Sequence, residues 1–142
     1  MLDPKVVDLT DRLIQTQFAE RHKRLQEEFV RTAQEFNATN RYSTSVHVQH
    51  VAEICRREVE IRAQIVLAAH TRVFSELAVA PYPELSRDLK NRLSYYVSLG
   101  DDYARAPNEL AHRIGLQSHP DYRMHETRDH ISQIRHRDRL VR

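Results

Sequence analysis

The sequence predicts an all-α chain: a long antiparallel two-helix hairpin with two or three shorter helices packed on it as a helical bundle. An eleven-residue repeat is the first reason. Val7, Phe18 and Phe29 form one row, and Ile14, Leu25 and Phe36 form a second. Eleven residues make three turns at about 3.67 residues per turn, so both rows stay on one side of a long, nearly straight helix. The second reason is a wider apolar stripe from Val51 to Leu77 at helical spacing. Composition is the third: two glycines and no tryptophan in 142 residues, 30% of them charged, leave little for tight hairpins and suit helix.

The first helix is expected to open at Asp3 and Pro4, a capping residue followed by a first-turn proline, and to run to about Phe36. Its other side carries Glu20 with Arg24 and Glu27 with Arg31, i,i+4 pairs of a solvated face. Turn-favouring Asn37 to Asn40 end it. The second helix is placed from Ser45 to about Val79, before Pro81. The alternating stretch from Ser43 to Val48 also fits a short extended segment. Helix is favoured because Val51, Ile54, Cys55, Val59, Ile61, Ile65, Val66, Ala69, Val73 and Leu77 keep a helical period. They cover about half the circumference, wider than a two-stranded seam, so this helix should touch at least two neighbours.

Pro83 and Glu84 open a shorter helix with Leu85, Leu89, Leu93, Tyr96 and Val97 inward, closed by Gly100. Residues 101–107 read as a loop, and Asn108 to Ile114 as a two-turn helix stopped by Gly115. From Pro120 a last helix carries Met124, Thr127, Ile131, Ile134 and Val141. The chain is thus one helical domain over residues 1–142, with the hairpin in 1–80 and the shorter helices in 84–142.

The charge balance is near neutral: 22 basic and 20 acidic residues give a formal net charge of +2. No global field draws the chain toward nucleic acid or lipid. Its single cysteine, Cys55, excludes an intrachain disulfide. No stretch approaches the roughly 20 apolar residues of a membrane span, and the N-terminus lacks a secretory pattern. A cytoplasmic location is the expectation.

Glu58 and Arg62, four apart and both within the apolar half of the second helix, are the leading candidate site. Arg72 and Glu76 repeat the arrangement. Charged pairs there fix register or partner choice in a helix–helix interface, or line a small polar ligand pocket; solvated pairs on an uncovered face are the plainer alternative. His47 and His50, with Glu53 a turn on, have chelating spacing but only part of a zinc set. His125, Asp129 and His136 share a face but span too great a length for one ion. Glu109 and His112 have the E-x-x-H spacing of di-iron bundles, in one copy where two are needed. No metal and no cofactor are therefore assigned.

Glu109 to Ser118 resembles the first helix and turn of a helix-turn-helix DNA reader, with Leu110, Ala111 and Ile114 toward the core and Gly115 at the turn. The resemblance, extended over residues 109–128, implies that Arg123 and Arg128 contact nucleic acid. Pro120 and Asp121 depart from it where the second helix should be under way. The basic run from Arg135 to Arg139 contains Asp138 and no stacking aromatic.

No glycine-rich nucleotide loop, catalytic carboxylate pair or nucleophile motif is visible. The expected function is non-enzymatic: a helical interaction or scaffold domain that self-associates through its long amphipathic helices, most simply as an antiparallel homodimer. Another protein is the second candidate partner, nucleic acid a less favoured one, and a membrane is not expected. The rival functions are a DNA-binding regulator and a metal- or ligand-binding helical bundle.

Overall fold

The computed structural model describes residues 2–98, 103 and 105–115, and every element among them is helical. α1 spans Pro4–Ala38, α2 Ser45–Glu76, α3 Leu85–Ser98 and α4 Ala106–Arg113. Gly100, Leu116 and the expected helix from Pro120 lie outside the described residues.

α1 begins as its sequence dictates. Asp3 accepts a hydrogen bond from the Lys5 amide at 2.7 Å, and Pro4 occupies the first turn. With no glycine or later proline, 35 residues extend to about 52 Å. The helix ends where Asn40 takes the left-handed conformation (φ 57°), so that the Arg41 amide reaches back to the Phe36 carbonyl at 2.7 Å.

α2 starts in the stretch where an extended segment also fitted. The Thr44 hydroxyl accepts from the His47 amide at 3.4 Å, and this cap commits Ser45 onward to helix. α2 stops at Glu76, about a turn short of Val79. Ala78 sits at φ 49° and the Val79 amide closes the turn on the Phe74 carbonyl at 3.0 Å. α4 begins at Ala106, with Pro107 in its first turn, rather than at Asn108. Tyr103 is also helical, inside the segment read as loop.

α2 is the centre. Fourteen of its residues are buried against five on α1, because α2 meets α1, α3 and α4 while α1 presents one stripe. The hairpin is antiparallel: Val6 clusters with Val73 at one end, and Phe36 stacks on His47 at the other. In α1 the Ile14/Leu25 row is sealed, and Phe18 and Phe29 are half-buried beside it. The opposite flank is polar: Thr10, Arg21 and Thr32, again eleven apart, with both threonines buried.

Two of the expected inward residues of α2 turn out exposed, Ile61 and Leu77, each at 37%. Leu77 lies past the helix end, and Ile61 falls outside the face whose centre is held by Glu58, Arg62 and His70. Ile65 is half-buried, and the rest of the stripe is covered within the chain. α3 lies on its C-terminal half, through Leu93, Tyr96 and Val97, and Tyr103 with α4 lies on its N-terminal half. Two short helices in series thus cover one side of α2 along its length.

A buried Arg–Glu–Arg cluster beside a cavity

Glu58 has a 1% exposed carboxylate side chain shared by two guanidinium groups. Arg21 of α1 donates Nε to Oε1 at 3.2 Å and Nη2 to Oε2 at 2.5 Å. Arg62, one turn along α2, donates Nε to Oε1 at 2.9 Å. The side chains of Arg21 and Arg62 are 19% and 10% exposed.

Burial alone would raise the Glu58 pKa, but hydrogen bonds from Arg21 and then Arg62, with their charges, hold it below the ordinary carboxylate range. The same bond raises the pKa of Arg21 against the opposing effect of burial.

Arg62 packs on two aromatic rings, its guanidinium carbon 5.1 Å from the Phe18 centroid and 4.6 Å from that of Tyr103. A guanidinium suits this position because its flat, weakly hydrated faces stack while its edge donates. Tyr103 is held in turn by Cys55, whose Sγ donates to the Tyr103 carbonyl at 3.0 Å. Burial, then the nearby Glu58 charge, pushes the Cys55 thiol up to about 12.

Beside this cluster lies a cavity of about 470 Å³ between α1, α2 and α4. Leu25, Phe29, Val51 and Leu110 supply apolar wall, and Arg62 reaches it from the buried side. His22, Glu109 and Arg113 supply polar groups. His47 also lines it, fixed by its Nδ1 contact with the Tyr42 carbonyl at 2.9 Å and by Phe36 stacked at 4.7 Å.

The candidate residues fall in different surroundings. Glu58 and Arg62 hold α2 against α1 inside the chain, with Arg21 as a third member that sequence reasoning missed. Arg72 and Glu76 pair at 3.1 Å with side chains 64% and 60% exposed, a solvated contact. Arg123 and Arg128 lie outside the described residues, as do His125, Asp129, His136 and the run from Arg135. Leu110 and Ala111 are buried and Ile114 half-buried. His47 is buried, whereas His50 is exposed and Glu53 pairs with Arg56. Among the described residues, no group of three or more His, Cys, Asp or Glu is placed to hold a metal ion, and no helix is long and apolar enough to cross a membrane.

No family model, curated protein or solved structure matches the chain. Its function is read from geometry alone.

Proposed function

We propose that the chain is a non-enzymatic helical binding domain, and that the cavity between α1, α2 and α4 receives a small organic ligand. The single observation carrying this is the 470 Å³ cavity with apolar walls and a few polar groups, reached by a buried guanidinium. That volume and lining are those of small-molecule sites. The titratable groups nearby favour binding over catalysis. Glu58 is kept ionised by two guanidiniums and so is a poor acid, and Cys55 is kept a thiol.

Titration with 1-anilinonaphthalene-8-sulfonate tests the reading. One saturable site is expected in the native chain, and Ala33→Phe, which fills the cavity from α1 without touching the ionic cluster, should abolish it. Equal dye binding by both proteins would reject the cavity as the site.

A second reading, self-association, has its own support. An open apolar groove of about 560 Å³ lies along α2, with Ile61, Ile65 and Ala68 in its wall and Gln17 of α1 opposite. Arg57 and Glu60 on its rim have opposite charges, which two copies related by a two-fold axis can pair reciprocally. A dimer mass by light scattering at micromolar concentration, reduced to a monomer by Ile61→Glu, is the expected result. A monomer of the native chain would remove this reading and leave the cavity reading untouched.

A further inference from the structure

We infer that the ligand is a monoanionic amphiphile, an organic carboxylate on a compact apolar body, with its carboxylate against the guanidinium of Arg62. The inference rests on the cavity reading above and adds the chemistry of the occupant.

Charge is the first argument. The three-residue cluster holds two cations and one anion, so it carries one unbalanced positive charge in a largely buried place. The Glu58 oxygens are already occupied: Oε1 accepts from Arg21 and from Arg62, and Oε2 accepts from Arg21. A buried guanidinium with spare donors is costly until an acceptor, best an anion, reaches it.

Geometry is the second argument, and it is independent of the first. Arg62 is 8% exposed, and among the described residues its Nη2 is buried without a hydrogen-bond partner. The rings of Phe18 and Tyr103 both lie against its guanidinium, and a carboxylate pairs best with the N–H edge of such a group. Arg62 is also part of the cavity wall. A carboxylate drawn from the cavity to the guanidinium would supply the acceptor that Nη2 lacks, while the body of the ligand displaces water from Leu25, Phe29, Val51 and Leu110.

The rim limits the anion to a single charge. Arg113 and His22 favour a negative ligand, whereas Glu109 opposes one. A phosphate dianion would bring more charge and more oxygen atoms than one guanidinium edge satisfies. A carboxylate has one charge and a flat oxygen pair that matches that edge.

Two carboxylates, 2-naphthoate and octanoate, are to be titrated calorimetrically into the full chain beside their neutral amides. Each carboxylate is expected to bind at one site roughly tenfold or more tightly than its amide. Arg62→Gln, checked for fold by circular dichroism, should bring that ratio close to one, and Arg113→Gln should leave most of it. If Arg62→Gln does not fold, contacts between the naphthoate protons and the Phe29 and Tyr103 rings in nuclear Overhauser spectra of the native chain take its place; their absence counts against the inference. Acid and amide binding equally, with both lost in Ala33→Phe, would overturn the carboxylate assignment and leave the cavity reading standing. A preference removed by Arg113→Gln rather than Arg62→Gln would also overturn it. No saturable binding of any of the four compounds would overturn both.

Discussion

Arg21 and Glu58 join α1 to α2 through two hydrogen bonds, at 3.2 Å and 2.5 Å, across 37 positions of sequence. The carboxylate also serves Arg62, so removing it strands two guanidiniums rather than one. Glu58→Gln is therefore expected to lower unfolding free energy by about 3–5 kcal/mol, the usual cost of breaking a buried ion pair from one side. Arg21→Met should cost less, about 1.5–3 kcal/mol, because Arg62 continues to neutralise Glu58. Urea denaturation of both variants checks this. The reverse order would show that Glu58 is not the shared anchor.

Arg21 marks the limit of what the sequence made legible. The rows Val7/Phe18/Phe29 and Ile14/Leu25/Phe36 predicted the buried side of α1 because they are apolar and periodic. The flank Thr10/Arg21/Thr32 has the same period, but polar residues carry no such signal, so Arg21 went unread until Glu58 was seen opposite it. Glu58 and Arg62 stood out because charges inside an apolar stripe need partners. The cavity was illegible for a different reason: it depends on where Tyr103 and α4 settle on α2, a tertiary fact without local pattern. The short helices were visible one by one, but their serial arrangement along α2 was not.

The same ion cluster sets an acid limit on stability. The folded-state pKa of Glu58 lies below its ordinary value of 4.5. Its contribution is therefore fully present above that pH and is lost as pH falls through the folded value. Melting temperatures measured from pH 7 to pH 3 should converge between the native chain and Glu58→Gln at the acid end. A gap of constant size would show that Glu58 does not titrate with unfolding.

Cys55 should be silent to alkylation in the folded chain. Its thiol is fully buried, donates to the Tyr103 carbonyl, and has a pKa pushed from 9.0 up to about 12 by burial. A shift of that size lowers the thiolate fraction at pH 8 by about a thousandfold, before access is considered. Iodoacetamide labelling followed by mass spectrometry should be at least that much slower than in 6 M guanidinium chloride, where the thiol is free. Rapid labelling of the native chain would mean that the contact between Tyr103 and α2 opens readily.

A second polar cluster determines how firmly α3 is held. Asp11 of α1 accepts from Arg92 and from the Tyr96 hydroxyl, both on α3. Arg92 also donates Nε to His70 Nε2 at 2.7 Å, which leaves the His70 Nδ1 proton for the Val66 carbonyl at 2.7 Å. Three helices thus meet at one carboxylate and one imidazole. Asp11→Ala deprives two donors of α3 of their common acceptor, while the apolar contacts of Leu93 and Val97 with the core persist. The expected result is local: a cost of about 1–3 kcal/mol, the penalty for buried donors left unmade. Amide exchange should accelerate in residues 85–98 and stay slow in the middle of α2, where Ile54, Val59 and Val66 remain sealed. Hydrogen-exchange mass spectrometry distinguishes the cases. Uniform acceleration through α2 would mean that the Asp11 cluster supports the whole bundle, and no change in α3 would mean that its apolar face alone holds it.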